Sequence, residues 1–159
     1  MKVIVCGDRN WTDMRLVERE MSTLPQGTTI IQGEARGADT IAKIIGRKLH
    51  FKVIGVVADW DGQGHAAGPI RNQLMLNMKP DLVLAFHDDL THSKGTKDMV
   101  VRALKAKVPV RLVKHRLASY ADVGGVVWVG SDVIELHRAI PRWLSHLVGG
   151  RKAHATERV

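Results

Sequence analysis

The stretch TTIIQGEARGADTIAKIIGRKL, residues 28–49, decides the fold of this chain. Residues 28–32 form a short apolar run that ends at Gly33, which is typical of a buried strand. Residues 38–49 have apolar positions at helical spacing, and a turn with two glycines joins the two segments. The stretch therefore predicts a unit of strand, turn and helix.

The same pattern recurs along the first 113 residues. We predict further strands at 2–6, 51–57, 81–86 and 108–113, and further helices at 13–22, 69–78 and 95–107. Strands that are rich in Val, Ile and Leu on both faces and alternate with helices indicate a parallel sheet covered on both sides. We expect an α/β fold, a Rossmann-like doubly wound domain with a mainly parallel sheet flanked by helices, over residues 1–113.

Residues 114–159 are predicted to form a C-terminal appendage of strand and helix that packs on this core. Residues 126–129 are an apolar stretch, and Ser131 could cap an amphipathic helix that runs to about Val148, with Pro141 interrupting its pattern. We expect a flexible tail from about residue 149.

The composition indicates a globular protein of one ordinary domain, with 159 residues, 45% hydrophobic and 25% charged. Nothing approaches the roughly 20 consecutive apolar residues that a membrane span needs. We therefore predict a cytoplasmic location and no membrane partner. Cys6 is the single cysteine and lies in an apolar strand, so we interpret it as a buried structural thiol.

The net charge of +8 is concentrated in residues 94–116, which hold eight basic side chains and one acidic side chain. This segment could be the solvated face of a helix or a contact surface for nucleic acid. The aromatic residues that usually accompany single-strand binding are absent from it. Nucleic acid therefore stays open as a partner of residues 94–116.

Polar and glycine residues follow the predicted strands at one edge of the sheet, where ligands of open α/β sheets bind. The opposite edge holds few such groups. The candidate ligand-binding residues are Gly7, Asp8, Arg9, Trp11, Gly33, Arg36, Gly37, Asp39, Asp59, Trp60, Gly68, Arg71, Asn72, Ser93, Lys94, Gly95, Thr96 and Asp98.

Residues 93–96 (SKGT) lie where a loop enters the helix that begins near Gly95. Free backbone N–H groups and the helix dipole favour an anion there. Gly95 would let an oxygen approach the backbone, and Lys94 adds positive charge. Ser93 and Thr96 could donate to a phosphate, or Ser93 could simply cap the helix with Gly95 as a turn residue.

Residues 67–72 (AGPIRN) form a second helix entrance, in which Pro69 fits the first turn. Arg71 and Asn72 would then project toward the same edge of the sheet. Because an arginine at a helix N-terminus opposes the helix dipole, Arg71 is expected to face a compensating anion such as a phosphate or carboxylate.

The turn GEARGAD, residues 33–39, fits neither the dinucleotide fingerprint GxGxxG nor the Walker spacing. The sequence therefore does not predict a standard NAD site or a standard ATP site. In the order VIVCGDRNWTD, GEARGADTIA, ADW, AGPIRN and SKGTKDMV, however, the motifs over residues 2 to about 113 resemble the YspA-type, cpYpsA-related branch of the SLOG superfamily of bacteria and phages. That superfamily also includes the Lonely Guy phosphoribohydrolases and the DNA-processing proteins of natural transformation.

The resemblance implies a Rossmann-like domain that binds a nucleotide or nucleotide-derived ligand, with the Gly-Thr loop and the Arg-Asn helix start on its phosphate and ribose. It also implies a homo-oligomer, a dimer or larger. No cofactor is required on this interpretation, and a divalent cation is left open.

The sequence resembles the Lonely Guy enzymes but differs from them at a catalytic residue. The glutamate of their GTxxE motif is Met99 here, and the carboxylate of Asp98 lies one residue earlier, about 100° around the helix. Three functions remain: a sensor or carrier without turnover, a hydrolase of an N-glycosidic or phosphate bond, and a DNA-binding accessory. A hydrolase would need Asp98, Glu34 or Asp39 as its acid or base.

Aromatic and metal-ligating residues at the same edge leave further alternatives. Trp11 and Trp60 could each stack on a nucleobase or cover the core. Asp8, Asp39 and Asp59 could bind ribose hydroxyls or a cation, or serve turns and caps. His65, His87 and His92, with Asp88 and Asp89, match no compact zinc pattern, so no metal site is predicted.

Overall fold

The computed structural model describes residues 1–115 and the backbone of residues 126–128 and 133–136. The strands are β1 (Lys2–Gly7), β2 (Thr29–Gln32), β3 (Lys52–Gly55), β4 (Leu82–Phe86), β5 (Val110–Val113), β6 (Val126–Trp128) and β7 (Val133–Leu136). The helices are α1 (Met14–Ser22), α2 (Ala38–Lys48), α3 (Trp60–Gln63), α4 (Ala67–Asn77) and α5 (Gly95–Lys105).

The sheet has the order β3-β2-β1-β4-β5-β7-β6, and its first five strands are parallel. This confirms the predicted Rossmann-like α/β fold with a mainly parallel sheet. The strand order reverses direction at β1, whose neighbours are β2 on one side and β4 on the other. A crevice opens at such a switch point, beyond the carboxyl ends of the strands.

The core consists of two apolar layers, one on each face of the sheet. Along β1, Val3 and Val5 join the layer under α1 and α2, whereas Ile4 and Cys6 join the layer under α4 and α5. Both sets are buried because a parallel sheet with helices on both faces leaves neither face to solvent. Burial on both faces explains why the sequence of this strand is a continuous apolar run and does not alternate between apolar and polar residues.

Helix α1 begins after an aspartate that caps its N-terminus. The Asp13 carboxylate accepts a hydrogen bond from the backbone N–H of Leu16 at 2.9 Å, so Asp13 is the N-cap rather than the first helical residue.

The chain after β3 differs from the prediction of a strand to residue 57. The strand ends at Gly55, and the Val57 side chain is 74% exposed. The short helix α3 follows and was not predicted, because four residues are too few to show apolar periodicity. The Asp59 carboxylate caps it by accepting from the backbone N–H of Gly62 at 2.9 Å.

The C-terminal appendage differs from the prediction at residues 133–136. The apolar stretch at 126–129 does contain a strand, but residues 133–136 form strand β7 instead of the start of a helix capped by Ser131. Strand β7 pairs antiparallel with β5 and with β6. The physical reason is the open edge of β5, whose free backbone groups are satisfied by a further strand. The predicted helix to Val148 and the tail from 149 lie outside the described residues.

Within residues 1–115 and the two short C-terminal strands, no helix has the length and apolar character that crossing a membrane requires.

Candidate functional site

A cleft of about 600 Å³ lies at the carboxyl ends of the strands, beside the switch point at β1. The loops after β1, β2 and β4 and the first turns of α4 and α5 form its walls. Fourteen of the predicted ligand-binding residues line it: Gly7, Asp8, Arg9, Arg36, Asp39, Trp60, Gly68, Arg71, Asn72, Ser93, Lys94, Gly95, Thr96 and Asp98. The structure thus brings together residues that lie far apart in the sequence.

The floor of the cleft is built around Asp39, which is only 4% exposed. Its Oδ2 atom accepts hydrogen bonds from the backbone N–H groups of Gly33 at 2.9 Å and Ala35 at 3.4 Å. Nη1 of Arg71 lies 3.9 Å from the same oxygen and donates to the Gly33 carbonyl. A side chain at position 33 would collide with this guanidinium, so Gly33 makes the close approach of Arg71 achievable.

Burial governs the ionisation of the groups on this floor. It raises the pKa of the Asp39 carboxyl to about 6, and Arg71 and the two N–H donors only partly oppose this rise. Burial also raises the pKa of the Cys6 thiol well above its ordinary value, with a smaller contribution from the negative charge of Asp39. Cys6 is therefore a protonated, structural thiol at the base of the cleft, as predicted.

A hydrogen-bonded network links the floor to α5. Nε of Arg71 donates to Oδ1 of Asn72 at 3.2 Å, and Nδ2 of Asn72 donates to Oδ2 of Asp98 at 2.9 Å and to the Gly95 carbonyl at 3.2 Å. Nε of Arg102 donates to the same oxygen of Asp98 at 2.8 Å. Asn72 is buried, so its amide fixes the first turn of α5 relative to α4.

The N-terminus of α5 opens into the cleft. The Ser93 hydroxyl oxygen accepts from the backbone N–H of Thr96 at 3.2 Å, so Ser93 serves as a cap, one of the two roles that the sequence left open. No atom lies within 4 Å of the position that a Cβ at Gly95 would take. The helix start therefore presents backbone and an exposed Lys94 to open space at the cleft wall.

Trp60 forms the opposite rim. Its side chain is 49% exposed, and the guanidinium carbon of Arg9 lies 5.8 Å from the centre of its ring. Arg36 is exposed on the same side of the cleft. Neither Arg9 nor Arg36 forms an ion pair with any residue between 1 and 115. The rim thus combines an exposed ring with two arginines that are not ion-paired within residues 1–115.

Four predicted ligand-binding residues do not line the cleft: Trp11, Gly33, Gly37 and Asp59. Trp11 is 4% exposed within the core layer under α1 and α2, and its ring stacks on His115 at 4.0 Å. Trp11 therefore takes the second of the two roles that the sequence left open, because its indole turns inward and fills the core. Asp59 caps α3, as described above. Gly37 has a φ of 76° and lies against the backbone of Asp8 and Arg9, which positions the start of α2.

Gly33 and the predicted catalytic residue Glu34 line a second cavity of about 400 Å³ rather than the main cleft. The Glu34 carboxylate binds the Lys43 ammonium at 2.8 Å and the Gln32 side-chain amide at 2.9 Å. These hydrogen bonds hold the pKa of Glu34 below its ordinary value. Glu34 is therefore an ionised, paired carboxylate beside the main cleft.

His87 also lines the cleft, although it was not among the predicted ligand-binding residues. Its Nδ1 accepts from the backbone N–H of Asp89 at 3.1 Å, which leaves the ring proton on Nε2. Burial lowers the pKa of His87, so the ring is neutral at pH 7. Its position directly after β4 was the signal that could have identified it. The other lining residues outside the prediction are Cys6, Asn10, Ala35, His65, Pro69, Met75 and His92.

In the described part of the chain, no three His, Cys, Asp or Glu side chains are grouped closely enough to hold a metal ion. In particular, His92 pairs with Asp89 at 2.6 Å on the surface.

Comparison with known proteins agrees with the sequence motifs. A family model described as the YspA, cpYpsA-related SLOG family matches residues 1–62. The Gene 61 protein of Mycobacterium phage D29 is 36% identical over 118 residues, which span 69% of this chain and 93% of that protein.

The fold resembles a solved structure. The structure of DNA processing protein A (DprA) from Streptococcus pneumoniae superposes with a TM-score of 0.58 at 18% sequence identity, over 76% of this chain. This chain spans about half, 52%, of that DprA chain, and the likeness concerns the fold. The family match, the phage relative and the fold agree, and the chain belongs to the YspA, cpYpsA-related SLOG family.

Proposed function

We propose that this protein binds a nucleotide or nucleotide-derived ligand in the main cleft and acts as a sensor or carrier. One observation carries the proposal: residues from five separate sequence motifs converge on a cleft of about 600 Å³ at the switch point of the sheet. That volume lies within the usual range of small-molecule sites, which is roughly 300–1,000 Å³.

The phosphate is assigned to the start of α5. Free N–H groups of a helix N-terminus and the dipole favour an anion, and the open space at Gly95 admits an oxygen to the backbone. Lys94 adds charge at the rim. Arg71 contributes from the floor, since only its Nε and Nη1 atoms are engaged by residues within 1–115.

The ribose is assigned to Asp39 or Asp98. Each carboxylate uses Oδ2 for its hydrogen bonds to the protein, and within residues 1–115 neither Oδ1 accepts one. A hydroxyl group could donate to either Oδ1 atom. Trp60, exposed at the rim beside Arg9, is assigned to the base, because an indole offers a flat apolar face for stacking.

Binding without turnover is favoured over hydrolysis by the orientation of α5. Met99, at the position of the glutamate in the related hydrolases, is fully buried in the core layer under α4 and α5. Asp98 is held by Asn72 and Arg102, and Glu34 by Lys43. A hydrolase remains the alternative function, and Asp39, whose raised pKa suits proton transfer near neutral pH, would be its acid or base.

A DNA-binding accessory is the second alternative, favoured by the exposed Lys94, Lys105 and Lys107 on and after α5. Binding to single-stranded DNA would then weaken steeply with salt and be lost when Lys105 and Lys107 are reversed to glutamate. Weak, salt-insensitive binding would remove this alternative.

Self-association is also proposed for the chain, and sedimentation would measure it.

The proposal is tested by denaturing the purified protein and identifying the released small molecules by mass spectrometry. An intact nucleotide supports a sensor or carrier. A free base or ribose phosphate, produced again when the protein is incubated with the parent nucleotide, would instead establish the hydrolase.

A further inference from the structure

The second cavity shares a wall with the main cleft. Arg9, Ala35, Arg36, Trp60 and Arg71 line both spaces, so the two cavities adjoin at the Trp60 rim. The second cavity adds about 400 Å³ to the 600 Å³ of the main cleft. Their combined volume lies at the upper end of the range for small-molecule sites.

Exposed apolar surface and positive charge meet in this second cavity. Val57, 74% exposed, and Trp60, 49% exposed, supply the apolar surface. Arg9 and Arg36 supply positive charge, and neither forms an ion pair with an acidic side chain in residues 1–115. The carboxylate of Glu34 is neutralised by Lys43 and does not offset these arginines.

We propose that the second cavity binds the second nucleoside of a dinucleotide-type ligand, whose first half occupies the main cleft. The inference rests on the proposed function, which it deepens by naming the class of ligand. One linking phosphate lies at the start of α5, and the other passes the shared wall, where Arg9 and Arg36 neutralise it. Trp60 lines both cavities, so the first base stacks on it from the main cleft, and the second base contacts Val57 and the part of Trp60 that lines the second cavity.

Val57 provides a selective test, since it lines the second cavity and not the main cleft. Val57→Asp puts a charge into the apolar wall of the second cavity at an exposed position, where folding tolerates it. Ile44→Asp is the matched control, because Ile44 is an exposed apolar residue on α2 that lines neither cavity.

The probes are ADP and diadenosine diphosphate, together with the corresponding guanosine pair. The dinucleotide adds the second adenosine and replaces the doubly ionisable terminal phosphate of ADP with a singly charged diester. Calorimetry of the full chain gives the ratio of the two dissociation constants. We expect the dinucleotide to bind at least about fivefold more tightly, as the contribution of one stacked base predicts. Val57→Asp should bring this ratio close to one, whereas Ile44→Asp should leave it unchanged.

Two results overturn the inference while leaving the proposed function intact: equal affinities in the native protein, or a dinucleotide advantage that survives Val57→Asp. If none of the four probes binds, and no other nucleoside diphosphate or its dinucleotide does, the proposed function fails and the inference fails with it.

Discussion

Nη1 of Arg71 lies 3.9 Å from Oδ2 of Asp39 at the floor of the cleft, and the same nitrogen donates to the Gly33 carbonyl. Both side chains are largely buried, at 12% and 5% exposure. The pair joins α4 to the turn after β2, so it positions two walls of the cleft. An anion that reaches Arg71 would compete with the Asp39 carboxylate for the guanidinium.

Asp39 should make stability depend on pH in a defined direction. Its pKa rises from 3.8 to about 6 on folding, so the folded protein favours the protonated form. The contribution of this group to stability is complete below pH 3.8 and is lost as pH rises through 6. Relative to Asp39→Asn, the native protein should lose about 2 kcal/mol of unfolding free energy between pH 4 and pH 7.

Urea unfolding of the native protein and of Asp39→Asn across this pH range measures the difference between their unfolding free energies. The contributions of the other titrating groups largely cancel in this difference. A difference that is flat with pH would show that the Asp39 carboxyl titrates near its ordinary value, and that burial does not control it.

Gly95→Ala should separate folding from binding. The added methyl group meets open space, and alanine is a better helix former than glycine, so the melting temperature without ligand should be unchanged or slightly higher. If a phosphate occupies that space, its affinity should fall at least about tenfold through loss of charge-assisted hydrogen bonds. Calorimetry checks this, with Lys105→Ala as the control at the far end of α5. Equal affinity for Gly95→Ala and the native protein would move the phosphate away from this helix.

Trp60 should report on the ligand directly. Its exposed indole should be quenched by a stacked base, and Trp60→Leu should weaken binding by about 1–3 kcal/mol. Trp11→Phe is the control, because Trp11 lies in the core and should leave both the quenching and the affinity in place. A response that survives Trp60→Leu would place the base elsewhere in the cleft.

The sequence predicted the five parallel strands and their helices because strands buried on both faces appear as apolar runs. It also predicted most of the cleft, since residues after parallel strands collect at one edge. It could not predict which way an indole turns: Trp11 and Trp60 both follow strands, yet one fills the core and the other stays exposed. Strand β7 depended on the open edge of β5, which local periodicity does not show.

Asp98 should prove to be a positioning residue. Asn72 and Arg102 both donate to its Oδ2 atom, so Asp98→Asn replaces a charged acceptor in this network. We expect weaker ligand binding and a lower melting temperature, with the nucleotide recovered intact from both proteins. Chromatography of the nucleotide after incubation checks this. Product formation by the native protein that stops in Asp98→Asn would make Asp98 catalytic.

The central claim is that the cleft binds a nucleotide, and the melting temperature across a nucleotide panel tests it most directly. A ligand that binds only the folded state at 100 times its dissociation constant stabilises it by about 2.7 kcal/mol. We expect at least one mono- or dinucleotide to raise the melting temperature in a concentration-dependent way, and to do so less in Gly95→Ala. A panel that leaves the melting temperature unchanged at millimolar concentrations would contradict the claim.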